Sequence, residues 1–195
     1  ELNVMGYQLP AGYRWRVSVS PTYARHAWPS PVPVTLSLVS GAGCVVRLPI
    51  REPQAADADL PPFAAPEMAP PLPLDVLRSE KYEHRLAYDV VRGVTTLTQV
   101  GDAGRVRLAG ENGLEWDEVS VQTFRIGDGE PLSAEQEVLF RVEYARGEWQ
   151  VRLETASKLT ATATHFWLTH QLEGFEGGQR VFVKNWAYGI ERDLG

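Results

Sequence analysis

Residues 14–20 alternate strictly between polar and apolar side chains, and a period of two recurs along most of the chain. Trp15, Val17 and Val19 share one face of the expected strand, whereas its arginines and serines share the other. No apolar run sustains the 3.6-residue period of an amphipathic helix. The chain is therefore predicted to be all-β.

Two more strands are expected in the first fifty residues. Residues 33–39 predict the second strand and residues 44–48 the third, joined by a turn at 40–43. A turn at 9–12 precedes the first strand and combines a proline with a glycine that tolerates positive φ. Three strands form a thin layer, so a partner sheet is expected to cover their apolar face.

Two motifs in this region carry a family resemblance. They are Gly-Tyr-x-Leu-Pro-Ala-Gly-x-Arg-x-Arg-Val-x-Val-Ser at 6–20 and Trp-Pro-Ser-Pro-x-Pro-Val-Thr-Leu at 28–36. Together they resemble the closing strands of the C-terminal jelly-roll domain in serine hydrolases of the X-prolyl dipeptidyl-peptidase and cocaine-esterase type. Further matching pieces extend the resemblance over nearly the whole chain; they lie at 60–63, 131–135, 147–152, 163–166 and 191–194.

The resemblance implies three parts and a role. Residues 1–52 would be the end of a jelly-roll β-sandwich, 53–74 a Pro-rich strap, and 75–195 an antiparallel β-sheet or sandwich domain. The chain would be the non-catalytic C-terminal β region of a serine hydrolase, shaping or covering the α/β-hydrolase domain of the same parent. That parent would cleave an ester or amide through an acyl-enzyme. The family's Ser-Asp-His residues would precede residue 1, so none is carried over, and the chain, which opens without Met, would be a fragment.

The organisation after residue 52 is predicted from prolines and turn residues. Seven prolines between residues 53 and 74 exclude a sheet ladder and predict an extended, semi-rigid strap. Interspersed apolar residues such as Phe63 predict that this strap lies on the protein surface. Residues 75–195 predict strands separated by short turns. The expected turns lie at 92–93, 101–104, 127–129, 146–147 and 173–178. We further expect a β-bulge near Gln122 and at most one helical turn at 133–136.

The candidate site is the loop containing Tyr23, His26 and Trp28, because large aromatic side chains in a proline-stiffened loop can line a pocket or a domain interface. Plain packing beneath a loop is the alternative. His165 and His170 are five residues apart on one strand and so point to opposite faces, and no metal site or cofactor is expected. None of the nine serines lies in a Gly-x-Ser-x-Gly motif.

Composition narrows the possible partners. Residues 1–52 hold five Arg against two Glu, whereas the remainder holds fourteen basic and twenty-three acidic residues, which disfavours nucleic-acid binding. No apolar run reaches the roughly 20 residues of a membrane span. Cys44, the one cysteine, is expected to be buried in its strand; a lone thiol favours the cytoplasm without establishing a compartment.

Two other functions remain open at this level. Six Trp and seven Tyr suit a carbohydrate- or ligand-binding β-sandwich, although fold analogy alone is a weak reason. A dimerisation module is the other alternative, because unpaired sheet edges invite a second chain and a homo-oligomer.

Overall fold

The computed structural model describes residues 6–21, 23, 27–110 and 113–193. Their main feature is one antiparallel sheet of eight strands, so the predicted all-β class is confirmed. The strands are β1 (Leu74–Arg78), β2 (Lys81–Asp89), β3 (Val94–Leu108), β4 (Glu115–Gly127), β5 (Glu130–Arg146), β6 (Trp149–Ala161), β7 (His165–Glu176) and β8 (Gln179–Glu191). Strands β3 to β8 follow one another as a meander, and both β1 and β2 pair with β3.

Tight glycine turns join the long strands. Gly93, Gly129 and Gly147 each have φ between 60° and 70°, a conformation that glycine adopts without a steric cost. The turns predicted at 92–93, 127–129 and 146–147 are confirmed. The loop predicted at 173–178 shortens to Gly177 and Gly178, because β7 continues to Glu176 and β8 begins at Gln179.

The hairpin predicted at 101–104 is wrong, because β3 runs through it. The pairing of β3 shifts register between Asp102 and Arg105, and its neighbour changes there from β2 to β1. Gly104 has a φ of 79°, and a Cβ atom on it would lie 2.3 Å from the Arg78 carbonyl oxygen. A Gly-Asp-Ala-Gly sequence therefore marks a bulge within a long strand rather than a reversal of the chain.

A smaller prediction about β4 is also wrong. Gln122 pairs in regular register with Gln99 and Val138, so no bulge lies there; the irregularity falls between Arg125 and Gly127. The change of alternation within β4 arises because both faces of this strand carry apolar residues. Residues 133–136 lie within β5 and form no helical turn.

The sheet has two chemically different faces, which follow from its register. The apolar face carries Leu86, Tyr88, Leu97, Trp116, Phe124, Phe140, Val142, Leu153, Leu159, Phe166, Leu168, Leu172, Phe182, Trp186, Tyr188 and Ile190. The charged face carries Arg78, Asp102, Arg105, Glu115, Asp117, Arg125, Glu135, Arg141, Glu143, Arg152, Glu154, Lys158, Glu173 and Arg180. Few side chains are buried, because the sheet is a single layer.

The three strands expected before residue 52 do not form. Residues 14–20, 33–39 and 44–48 form no strand, and their apolar side chains are exposed except for the half-buried Leu48. Cys44 is likewise exposed, which corrects the prediction that it is buried. The two turns do form: Tyr13 N–H donates to the Pro10 carbonyl over 3.2 Å, and Cys44 N–H to that of Gly41 over 2.9 Å.

The Pro-rich segment begins with a five-residue 3₁₀ helix, Ala55–Asp59, where an extended chain was predicted. The Asp57 carboxylate accepts the Gln54 N–H over 2.9 Å and pairs with Arg51, which stabilises this turn. Beyond the helix Phe63 and Met68 are almost fully exposed, so the prediction of a strap lying on the protein surface is wrong. The sheet begins at Leu74; the domain boundaries remain predictions.

Candidate functional site

Of the three predicted site residues, Trp28 makes the best-defined contact. Its indole packs edge-on against Phe166 of β7, with ring centroids 6.0 Å apart and planes at 89°. Tyr23 is exposed, and its carbonyl accepts the Ala27 N–H over 2.7 Å, which closes the loop. His26 lies outside the described residues.

Arg192 fastens this loop to the sheet. Its Nη2 donates to the Pro29 carbonyl over 2.7 Å and its Nη1 to the Thr162 carbonyl over 3.2 Å. The guanidinium carbon also lies 4.6 Å from the centre of the Phe166 ring, within cation–π range. Residues 28–31 are consequently half-buried, whereas the flanking residues are exposed. We name Trp28, Pro29, Phe166 and Arg192 the anchor.

Sequence reasoning gave Phe166 and Arg192 no role. Both lie in short pieces that carry the family resemblance, at 163–166 and 191–194. Nothing in their local pattern shows that they meet a loop more than 130 residues earlier in the chain. Only the pairing of β7 with β8 brings these two residues together at one corner of the sheet.

The charged face is held by an ionic network around Asp117, which is 4% exposed. Its carboxylate lies 3.3 Å from the Arg141 guanidinium and 3.5 Å from that of Arg105, which also binds Glu143 at 2.9 Å. Burial opposes ionisation of Glu143, but hydrogen bonds from Gln150 and Arg105 outweigh it and lower the pKa of this carboxyl. Glu115 and Asp117 therefore belong to a structural ionic network on β4.

A shallow groove of 440 Å³ crosses the middle of the charged face. Val119, Val121, Leu139 and Ala156 form its apolar floor. Acidic and basic residues border it, and those carboxylates are engaged in ion pairs: Glu154 with Arg152 at 3.0 Å, for example. The groove offers apolar contact but no nucleophile.

One serine does meet a histidine. Ser157 Oγ lies 2.6 Å from His170 Nδ1, and Trp186 packs on the imidazole with ring centroids 5.2 Å apart. Both residues lie in the middle of strands whose ladders are regular on each side. Backbone N–H groups engaged in ladders cannot form an oxyanion hole, so this pair is not equipped for acyl transfer.

An aromatic platform lies at the β7–β8 end of the charged face. The Trp167 ring covers Gly189, where a Cβ atom would come within 2.7 Å of the indole. His165 stacks beside it, with ring centroids 5.6 Å apart and planes at 23°. Trp167 remains 47% exposed, and Thr160 faces it across the ladder. A flat aromatic ring beside hydroxyl groups is suited to stacking against a ring-shaped polar ligand.

The remaining features concern metals and membranes. His165 and His170 lie on opposite faces of β7, as predicted. In the described ranges no group of three or more His, Cys, Asp and Glu side chains could hold a metal ion. No helix among the described residues has the length and hydropathy that a bilayer crossing requires.

No family model, curated protein or solved structure matches this chain.

Proposed function

We propose that the chain is the non-catalytic β region of a serine hydrolase of the acyl-esterase or X-prolyl dipeptidyl-peptidase kind, and that it shapes or covers the catalytic domain. One observation carries the proposal. Residues 6–53 keep the alternation of sheet strands, yet Trp15, Val17 and Val19 are all more than half exposed and have no ladder partner in the described part of the chain. Such a segment is completed when other strands supply its hydrogen bonds and cover its apolar side chains.

The anchor supports a covering role for the sheet. It ties the segment that resembles a jelly-roll closing strand to β7 through Trp28 and Arg192. A domain completed by that segment would therefore lie beside the sheet. The sheet itself contributes no nucleophile elbow, and its Ser157 and His170 lack an oxyanion hole.

The gene sequence upstream of residue 1 tests this proposal. We expect an in-frame α/β-hydrolase pattern with a Gly-x-Ser-x-Gly nucleophile elbow. We also expect the purified 195-residue chain to leave p-nitrophenyl acyl esters and X-Pro p-nitroanilides uncleaved. An upstream region without such a pattern, or enzyme-like turnover by the chain alone, would overturn the proposal.

Carbohydrate binding is a second candidate, favoured by the aromatic platform. Trp167 covers Gly189 and is 47% exposed, and Thr160 and Glu191 are neighbours that can hydrogen-bond a hydroxylated ligand. These features suit a sugar ring, which stacks its C–H face on an aromatic ring and directs its hydroxyl groups to polar side chains.

Tryptophan fluorescence titrated with soluble oligosaccharides tests this candidate. A binding glycan should change the emission of the wild type and of W149A, but not that of W167A. Trp149 is a matched control, because it is 44% exposed and lies on the apolar face. A flat response to every glycan, or equal responses in the two variants, would eliminate the platform as a sugar site.

A further inference from the structure

The apolar face of the sheet exposes an unusually large area. Within β2 to β8, nine large side chains on this face are between 38% and 72% exposed: Tyr82, Leu86, Tyr88, Tyr144, Trp149, Leu153, Phe182, Tyr188 and Ile190. Half of the about 150–250 Å² that an aromatic side chain buries, summed over the six aromatic residues, is roughly 600 Å². The exposed parts of Leu86, Leu153 and Ile190 add to this area. A partner in a stable interface contributes about 800 Å², so this face is large enough for one. Apolar patches of this size mark interaction surfaces.

The same face is electrically balanced, although the chain carries a net charge of −6. Within the described strands β2–β8 its ionised side chains are Glu118, Glu176, Arg146 and Lys184, two of each sign. The other carboxylates of these strands lie on the charged face, as their register shows. Two acidic chains can therefore bring their apolar faces together without a like-charge penalty.

We propose that the apolar face binds a second copy of this chain, so that two sheets form a face-to-face β-sandwich. Packed sheets lie about 10 Å apart with interdigitating side chains, and a two-fold axis lets the same surface serve both copies. The anchor covers only the corner around Phe166 and leaves the rest of the face open. This inference does not rest on the proposed hydrolase role.

Leu153 and Phe182 are central to the expected contact. They lie on either side of Gly174, which is on the strand between them. A Cβ atom on Gly174 would lie 3.6 Å from Leu153 Cδ2 and 3.3 Å from Phe182 Cβ. The absent side chain leaves a depression between two projecting ones. A partner side chain can insert there, as sheet packing requires.

A matched pair of leucines tests the proposal in the complete 195-residue chain. Leu153 is 43% exposed on the apolar face, and Leu139 is 44% exposed on the charged face of the adjacent strand. Sedimentation velocity between about 1 and about 100 µM should show a monomer–dimer equilibrium for the wild type. L153E should raise the dissociation constant at least about tenfold, because it buries a charge at the interface, whereas L139E should leave it within about threefold.

Three outcomes would overturn the proposal. One is a wild-type monomer throughout the concentration range, which would leave the apolar face for another part of its own polypeptide. Another is equal weakening by L153E and L139E. The third is dimerisation that neither variant alters, which would point to the exposed apolar side chains of residues 6–53 as the contact. Circular dichroism verifies that the variants fold; F182K replaces L153E if that variant does not.

Discussion

Residues 6–53 and residues 74–191 share one sequence pattern but have different structures. Both alternate apolar and polar side chains, yet only the second region forms strands. Val17 in the first region is 61% exposed and unpaired, whereas Val138 in β5 is partly buried and lies between partners on both sides. Alternation thus specifies which side chains share a face, but a ladder also requires a neighbour with free backbone groups.

Short turns bring each strand of the sheet next to its pairing partner. From β2 onward, two to six residues separate each strand from its antiparallel partner, so local contacts supply the ladder from β2 to β8. Residues 6–53 contain two turns, but prolines at 21, 29, 31 and 33 interrupt the stretch between the first two expected strands. Proline removes an N–H donor and restricts the residue before it, so no tight hairpin turn joins those two segments.

The largest effect is expected from proline at Val138. V138P removes a ladder donor from a central strand and should lower the free energy of unfolding by at least about 3 kcal/mol. V17P, the same change in the unpaired region, should alter it by less than about 0.5 kcal/mol. Urea unfolding monitored by tryptophan fluorescence measures both. Similar losses in the two variants would mean that residues 14–20 are paired, and the contrast between the regions would fail.

The sequence predicted the all-β class and most of the turns because these signals are local. A period of two and a glycine turn are both contained within about a dozen residues, as at Gly93 and Gly147. The bulge at Gly104 was misinterpreted as a hairpin because its cause is not local: the carbonyl of Arg78, on the neighbouring edge strand, occupies the space where a side chain would be.

Of the residues that form the anchor, only Trp28 could be predicted from the sequence. An aromatic residue beside prolines identified Trp28, but its partners Phe166 and Arg192 depend on which sheet corner the loop reaches. The two faces of the sheet follow from alternation in principle. Assigning the faces across eight strands requires the register, and a slip of one residue exchanges the two faces.

Substitution of Gly104 should have the next largest effect on the free energy of unfolding. It tests whether the bulge in β3 fits closely against the chain between β1 and β2. G104A should cost about 3 kcal/mol, because it adds the strain of a positive φ to a collision with backbone atoms. G129A is the matched control: φ is 70° there, but no atom lies within 4 Å of the added Cβ. It should cost about 1 kcal/mol. Equal urea midpoints for G104A and G129A would show that the close approach to Arg78 does not contribute to the loss of stability.

The charged face predicts how stability depends on pH. Hydrogen bonds from Lys158, and then from Arg125, lower the pKa of Glu135, and a hydrogen bond from Arg78 lowers that of Asp102. A carboxyl with a depressed folded-state pKa stabilises the fold above its ordinary pKa of about 4, and that contribution is lost as pH falls through the lowered value.

The free energy of unfolding should therefore fall as the pH drops below about 4, and E135Q should reduce that decrease by about 1 kcal/mol. Urea titrations at neutral pH and at a pH well below about 4 measure this change in the free energy of unfolding. Salt at about 1 M should weaken the dependence, since the pairs are partly exposed. An unchanged slope in E135Q would show that Glu135 is as easily protonated in the folded chain as in the unfolded one.

The smallest effect on global stability concerns the anchor, the contact that joins the two regions. W28A removes an edge-to-face pair and should lower the free energy of unfolding by only about 0.5–1.5 kcal/mol, because the ladders are untouched. Locally the loop should open, so the Ala27 amide, which donates to the Tyr23 carbonyl, should exchange its hydrogen faster. W15A is the control, since Trp15 is exposed and lies outside the anchor. Equal exchange of the Ala27 amide in W28A and the wild type would show that the loop holds itself closed and that Trp28 does not join the regions.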